Sequence, residues 1–291
     1  GRTPGYGVFR TVREVKPAHC GYYMQGSLHL HPYWELHAAV HTDSFAETAA
    51  HVRELLTDAV RRQLVSDVPI GTFLSGGLDS SLLSSLSSQV LRERGETLHT
   101  FSVDYRDNDR YFQKSHFQPT SDPAYIRAME RYLGCQHHWT VLDTPALAEA
   151  LYAAVDARDL PGMVDVDSSL LLFCGEIRKE VTVALSGECA DELFGGYPWY
   201  RDADVRRVNG FPWAQSTAYR AKFLRPELAE KIDAQAYVQD AYERTIRAAE
   251  KLPEDSPLES RMREMMKLNL DWFMQTLLDR KDRMKIGRAH V

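Results

Sequence analysis

The sequence predicts an α/β protein, with a Rossmann-like parallel sheet flanked by helices and a mainly helical C-terminal part. Short apolar runs alternate with stretches of helical spacing between residues 43 and 187, a pattern typical of parallel sheets. A turn with two adjacent glycines separates the first such run from the helical stretch after it. From Phe211 onward only helical spacing recurs. With 291 residues, 44% of them hydrophobic, the chain is long enough to bury a large core.

Residues 1–42 are predicted to be a connector. They are rich in Gly, Pro, His and aromatic residues, and their short alternating runs favour a β-hairpin or a linker without a core of its own. The histidines of this segment are interpreted as surface residues. A helix is expected over 42–65, because Ser44 and Glu47 form a capping box ahead of apolar residues at helical spacing.

The elements of the predicted sheet follow in order along the chain. Apolar runs predict strands at 68–74, 98–105, 136–143 and 181–187. Helical spacing predicts helices over 80–94, 122–133, 145–157 and 167–180, and then over 226–252 and 257–284. His137 and His138 are neighbours on one strand, so they point to opposite faces, and packing and surface roles are predicted for them. Ligands of such sheets bind beyond the carboxyl ends of the strands.

Composition argues against several classes of partner. The formal net charge of -6 and the sequence pI of about 6.0 give no basic field for a polyanion, so no nucleic-acid partner is expected. No apolar stretch is long enough to span a bilayer, and no membrane association is expected. Cys20, Cys135, Cys174 and Cys189 are widely separated, which predicts reduced thiols, no cysteine zinc site and a cytoplasmic location.

The strand end at Ser75, Gly76 and Gly77 predicts an anion site. Two glycines let phosphate oxygens approach backbone N–H groups at a helix N-terminus, and they adopt positive φ at little cost. The hydroxyls of Ser75 and Ser80 add donors. A GxxxxGK[ST] phosphate loop would supply a lysine, but this loop has Asp79. Because a carboxylate repels a bare phosphate, Asp79 is predicted to bind a Mg²⁺ ion that faces a pyrophosphate oxygen.

A second loop, LSGECADELFGGY, is predicted to supply the other carboxylate that Mg²⁺ requires. It contains Glu188, Asp191 and Glu192, and a helical turn would place Glu188 and Asp191 on one face. One acid can then bind metal while another moves a proton. The ligand that best explains both loops is a nucleoside triphosphate attacked at its α-phosphate, with magnesium pyrophosphate as the leaving group.

Both loops resemble those of a known family. SGGLDSS is similar to the pyrophosphate loop of the ATP pyrophosphatase superfamily, whose fold is adenine nucleotide α-hydrolase-like. LSGECADELFGGY resembles the synthetase domain of glutamine-dependent asparagine synthetases, and the similarity extends to QLVSDVPIGTFLSGG and LDWFMQTLLDRKDRM. The resemblance implies an ATP-dependent ligase that activates L-aspartate as β-aspartyl-AMP. Attack by ammonia, derived from glutamine, then gives L-asparagine, AMP and pyrophosphate.

The resemblance also implies roles for individual residues. By position, Leu74, Val103, Ser186 and Gly187 would hold the adenylate, Ser75, Gly76, Gly77, Asp79 and Ser80 the pyrophosphate, and Asp79 and Asp191 the Mg²⁺ ion. Glu188 would act around adenylate formation and ammonia attack, as a general base. Asp167 and Ser168 would face the substrate aspartate. Residues 280–283, RKDR, are either a solvated helix end or the rim of the site.

The chain departs from the family at both ends. The full enzyme begins with a glutaminase domain whose first residue is a cysteine nucleophile, a role that Cys20 does not inherit. Residues 1–42 are therefore predicted to be the connector from a missing glutaminase domain, and 43–284 a synthetase domain truncated before a family lysine. Residues 286–291 match the translation of a common sequencing adapter, so 285–291 are predicted to be a non-native tail. Weak ATP binding and little synthesis are expected from this chain.

Other functions stay open at this stage. A β-lactam or lasso-peptide cyclase has the same two loops but adenylates a carboxylate for intramolecular attack. A tRNA-modifying pyrophosphatase would need a basic surface and cysteine pairs, which the composition does not offer. An inactive fragment is the third alternative. The assembly state is open, with a homodimer as one option.

Overall fold

The computed structural model describes residues 3–114 and 120–284, so the predicted tail at 285–291 lies outside the described residues. The chain forms two compact units. The sheet unit comprises residues 43–188 and the chain from Leu277, and the helical unit comprises the chain up to Thr42 and residues 189–276. The predicted domains, 1–42, 43–284 and 285–291, remain predictions.

Six strands and fifteen α-helices are present in the described residues. The strands are β1 (His19–Met24), β2 (Ser27–Pro32), β3 (Ile70–Phe73), β4 (His99–Tyr105), β5 (Gln136–Leu142) and β6 (Val183–Leu185). The helices before β6 are α1 (Phe45–Gln63), α2 (Leu78–Glu93), α3 (Asn108–Tyr111), α4 (Pro123–Leu133), α5 (Thr144–Glu149), α6 (Leu151–Arg158) and α7 (Val164–Ile177). Those after it are α8 (Ala190–Phe194), α9 (Pro198–Arg201), α10 (Ala203–Arg207), α11 (Thr217–Ala221), α12 (Pro226–Lys231), α13 (Ala234–Arg247), α14 (Pro257–Leu268) and α15 (Met274–Met284), with a π-helical turn at Asn269–Phe273.

The sheet unit contains the predicted parallel sheet. Its strand order is β5-β4-β3-β6, and every neighbouring pair is parallel. Because β3 and β6 are parallel neighbours, the residues that follow these two strands leave the sheet at the same edge. The α/β fold class and all four predicted strands of this sheet are confirmed.

Helices cover both faces of this sheet. Successive side chains of β3 point to opposite faces, and each contacts a helix there. Thr72 points to one face, where its hydroxyl lies 2.8 Å from that of Ser84 on α2. On that side Val60, Leu64, Ile70 and Val90 form a buried cluster. Phe73 points to the other face, and its ring lies 5.3 Å from that of Phe173 on α7. There Phe101, Phe173, Cys174, Ile177 and Val181 form the second cluster.

The helical unit has its own aromatic core. Phe211, Ala241, Tyr242 and Leu268 form one cluster, and Trp199, Tyr200 and Met265 form another. The unit also contains the β1–β2 hairpin, whose connection, Gln25 and Gly26, has φ of 50° and 79°. Positive φ at both positions is typical of the type I′ turn, which matches the twist of paired strands. The predicted hairpin is therefore confirmed, and its residues are mostly exposed.

Some predicted helices are divided. The helix predicted over 145–157 is interrupted at Ala150, where ψ is -7°, and no Gly or Pro marks that break in the sequence. The helix predicted over 226–252 ends at Lys231, and Asp233 caps a new helix by accepting a hydrogen bond from the backbone N–H of Ala236. The helix predicted over 257–284 contains the π-helical turn. Within the described ranges, every helix is too short or too polar to cross a membrane.

Candidate active site

The two Ser-Gly loops meet at one edge of the sheet. β3 and β6 are paired in parallel, with Ile70 opposite Val183 and Thr72 opposite Leu185. The loops that follow them therefore begin side by side. A Cβ on Gly187 would lie only 3.0 Å from backbone atoms of Asp79 and Ser80, so the second loop packs against the first turn of α2. The prediction that both loops belong to one site is consistent with this packing.

The first loop is held in shape by its serines. The backbone N–H of Ser75 donates to the hydroxyl of Ser80 (3.1 Å), and that hydroxyl donates to the carbonyl of Gly77 (3.2 Å). The two hydroxyls lie 2.9 Å apart. Gly77 is the N-cap of α2 and makes no side-chain cap, so the loop presents backbone N–H groups at the positive end of a 16-residue helix. This arrangement fits an anion such as pyrophosphate.

The two glycines of this loop differ in conformation. Gly76 has φ of 76°, and a Cβ there would lie 2.9 Å from Cβ of Tyr125 and 3.1 Å from the carbonyl oxygen of Asp122. The expectation of positive φ is therefore correct for Gly76. It is wrong for Gly77, whose φ is -74° because this residue already has the extended conformation of a helix N-cap.

Glu188 lies between two cations of α15. Its Oε1 accepts a hydrogen bond from Arg280 (2.8 Å), and its Oε2 lies 2.9 Å from Nζ of Lys281. Lys281 also donates to the hydroxyl of Ser186 (3.2 Å), and its Nζ lies 4.4 Å from the centre of the Phe73 ring. The second alternative for RKDR, a rim of the site, is thus supported for these two residues. Glu188 thus forms ion pairs with two cations of the same helix.

The predicted helical turn around Glu188 is wrong. Helix α8 begins at Ala190, and Cys189 before it has a left-handed φ of 80°. Glu188 therefore precedes the helix and does not share a helical face with Asp191. The left-handed backbone of Cys189 separates Glu188 from the helix. This conformation could not be predicted from the residue type, because left-handed φ is usual only for Gly, Asn and Asp.

Asp191 and Glu192 lie in the helical unit. Glu192 is fully buried and its Oε1 accepts a hydrogen bond from the hydroxyl of Tyr197 (2.6 Å), which indicates a structural role. Burial raises the pKa of the Asp191 carboxyl, and the charge of Arg201 partly opposes this shift. A Cβ on Gly196 would lie 1.8 Å from Oδ1 of Asp191, so any other residue there would force the Asp191 side chain to move.

Asp167 and Ser168 are buried at the start of α7. Oδ2 of Asp167 accepts hydrogen bonds from Arg158 and from the backbone N–H of Met163, both at 2.8 Å. The hydroxyl of Ser168 donates to backbone carbonyls of the preceding turn. These contacts stabilise the first turn of the helix, and a role in substrate binding remains a prediction.

The other predicted site residues are positioned by the sheet. Leu74 is 1% exposed, and its backbone N–H donates to the carbonyl of Phe101 (2.8 Å). Val103 lies on β4 and packs against the cluster around Phe173. The sheet unit thus contains all the predicted site residues except Asp191: Leu74, Ser75, Gly76, Gly77, Asp79, Ser80, Val103, Asp167, Ser168, Ser186, Gly187 and Glu188.

Comparison with known proteins gives consistent matches. The profile of the family described as asparagine synthase matches residues 51–289. Glutamine-hydrolyzing asparagine synthetase 3 of Bacillus subtilis is 48% identical over 289 residues, which are 99% of this chain and 47% of that protein. Glutamine-hydrolyzing asparagine synthetases of Bacillus subtilis (number 1) and Zea mays are 36% and 32% identical over 52% and 55% of the chain, and over 22% and 27% of their own lengths. The chain spans about half the length of the first relative.

Proposed function

Because the chain belongs to the asparagine synthase family, we propose that it is the synthetase part of a glutamine-hydrolysing asparagine synthetase. The proposed reaction joins ammonia to the β-carboxyl of L-aspartate at the expense of ATP, with AMP and pyrophosphate as products. The observation that carries the proposal is the packing of Gly187 against Asp79 and Ser80, which unites the two loops at one sheet edge. The relatives are named asparagine synthetases, and this does not favour the cyclase alternative.

The first loop is proposed to bind the pyrophosphate portion of ATP. Ser75, Gly76, Gly77 and Ser80 would donate backbone and hydroxyl groups to it at the N-terminus of α2. The steric argument at Gly76 supports this assignment, because any side chain there would displace the neighbouring Tyr125 and close the loop. Leu74, Val103, Ser186 and Gly187 are proposed to hold the adenylate portion.

Mg²⁺ is proposed to be bound by Asp79, with Asp191 as the second carboxylate. A hard cation with oxygen ligands suits a carboxylate next to phosphate-binding N–H groups. When bound, the ion would offset the negative charge of the leaving pyrophosphate. Asp79 lies in the sheet unit and Asp191 in the helical unit, so each carboxylate is to be tested by its own substitution.

Glu188 is proposed to accept a proton from the attacking ammonia. Arg280 and Lys281 form ion pairs with its carboxylate at distances of 2.8 and 2.9 Å, and these contacts fix the position of the proposed base. The same two cations bring positive charge to the strand edge where phosphate oxygens are expected. They are therefore proposed as positioning residues for Glu188.

The fate of one oxygen atom tests the reaction. In the proposed sequence an oxygen of the β-carboxyl attacks the α-phosphorus, pyrophosphate leaves, and ammonia then displaces AMP, which retains that oxygen. L-Aspartate labelled with ¹⁸O in its β-carboxyl should therefore give AMP with one labelled oxygen and L-asparagine with the other. Mass spectrometry of both products is the measurement. Unlabelled AMP, or ADP in place of AMP, would refute the proposal.

The setting of the enzyme is also proposed. We expect a cytoplasmic protein that receives ammonia from a glutaminase domain, with a homodimer as one option for its assembly. Light scattering of the purified chain measures the assembly state directly.

A further inference from the structure

A second cluster of polar side chains lies near the amino-terminal ends of the strands, away from the edge with the two Ser-Gly loops. His99 is the first residue of β4, and His138 lies near the start of β5. Glu180 belongs to the segment that connects α7 to β6. One ring nitrogen of each histidine and one carboxylate oxygen of Glu180 all lie within 4.8 Å of one another. The proposed ATP site uses none of these residues.

The spacing of these atoms fits a single small metal ion. Nδ1 of His99 lies 3.1 Å from Nε2 of His138. Two nitrogens that bind one tetrahedral zinc ion at about 2.0–2.1 Å are separated by about 3.3–3.4 Å. A ring rotation that opens the nitrogen pair by a few tenths of an ångström thus reaches the coordinated spacing. Glu180 is exposed, so its carboxylate can turn toward the same point and leave one position to water.

The backbone around the cluster is fixed by buried residues. His138 stacks on Phe101, with ring centres 4.8 Å apart, and Phe101 is 2% exposed. The backbone N–H groups of Glu180 and Val181 both donate to the carbonyl of Ile177, and Ile177 and Val181 are buried. The three side chains therefore extend from anchored positions, which lowers the entropy cost of gathering them around an ion.

We propose that His99, His138 and Glu180 bind a divalent transition-metal ion of the zinc class. Two imidazoles and a carboxylate are borderline ligands that suit Zn²⁺ and disfavour Mg²⁺ and Ca²⁺, which take oxygen ligands. The bound ion joins β4, β5 and the segment before β6, and so stabilises the sheet unit.

The test is zinc binding by the full chain. Metal-free protein is titrated with Zn²⁺ in competition with a chromophoric chelator, and with Co²⁺ for its visible absorption. His99→Asn, His138→Gln and Glu180→Gln keep a polar group near the position of each proposed ligand atom but weaken its metal binding. Each is expected to lower the Zn²⁺ affinity at least about tenfold. The wild-type protein should bind one Zn²⁺ ion, and each of these substitutions should weaken that binding.

His137→Asn is the matched control. His137 is the neighbour of His138 on the opposite face of β5, and its Nδ1 lies 2.7 Å from the hydroxyl of Thr100, a contact that an asparagine amide can retain. This variant should bind Zn²⁺ as the wild type does. Because Glu180 is exposed, Glu180→Gln decides the matter if the histidine variants do not fold. The proposal would be overturned if the wild type fails to bind Zn²⁺, or if all three ligand variants bind Zn²⁺ with the affinity of the wild type. His99 and His138 would then form only a hydrogen bond between their imidazoles.

Discussion

Gly187 provides the sharpest steric test at the scale of single residues. A Cβ at this position would lie 3.0 Å from backbone atoms of Asp79 and Ser80, which cannot rotate away as a side chain would. We expect Gly187→Ala to lower the free energy of unfolding by about 1–3 kcal/mol. Urea denaturation measures this change. Weaker ATP binding should accompany it, because the first turn of α2 must shift.

Gly175→Ala is the control for this substitution. Gly175 lies within α7, and a Cβ there would meet no atom within 4 Å. Alanine is favoured over glycine inside helices, so this variant should be more stable by about 0.5–1 kcal/mol. An equal loss of stability in both variants would contradict the close packing of the two loops.

Glu188 tests the chemistry at the same scale. We expect Glu188→Gln to lower kcat at least about 100-fold, since a positioned base contributes that much or more, with a smaller change in KM for ATP. Glu176→Gln, which alters an exposed carboxylate paired with Lys179, should retain activity. A Glu188→Gln variant with normal kcat would remove Glu188 from the mechanism.

At the scale of elements, the capping boxes can be tested in both units. Ser44 caps α1 in the sheet unit, and Ser256 caps α14 in the helical unit, each with a glutamate three residues later. Ser44→Ala and Ser256→Ala should each cost about 1 kcal/mol of stability. Ser81→Ala, on the second turn of α2, lacks a cap to lose and should change stability much less. Denaturation midpoints that do not fall for either cap variant would contradict the assignment.

Local signals explain which elements could be predicted. The capping box, the apolar runs and the paired glycines act over a few residues, so they predicted α1, the four parallel strands and the first loop. Breaks without such signals were missed, as at Ala150 and at the π-helical turn. The break before α13 did have a local signal. Asp233 accepts a hydrogen bond from the backbone N–H three residues later, and aspartate is a common N-cap residue.

The candidate site was predicted by residue type more successfully than by geometry. The alignment of the two loops follows from the strand order, in which β6 lies beside β3 although two strands and six helices separate them along the chain. The position of Arg280 and Lys281 beside Glu188 depends on the return of α15 to the sheet unit, far along the sequence. Such long-range contacts leave no periodicity in the sequence. The left-handed φ of Cys189 was missed because Gly, Asn or Asp, the residue types usual for this conformation, are absent at this position.

At the scale of the whole molecule, the account requires that the chain activate a carboxylate with ATP. The first relative is about twice as long as this chain. Ammonia, the nitrogen source of the proposed reaction, is supplied directly in every assay. The first half-reaction does not need ammonia. As proposed, it is a displacement of pyrophosphate that can run in both directions, so it can be observed without asparagine synthesis.

Exchange of labelled pyrophosphate into ATP, dependent on L-aspartate, is therefore the most direct test of the central claim. The proposed function predicts that the chain catalyses this exchange with Mg²⁺ present, whereas the expectation of weak ATP binding and little synthesis predicts little exchange. Where exchange occurs, Asp79→Asn should lower its rate at least about 100-fold. Asp58→Asn, which alters an exposed carboxylate of α1 paired with Arg62, should leave the rate unchanged. Exchange that proceeds equally without aspartate, or that is unaffected by Asp79→Asn, would contradict the account.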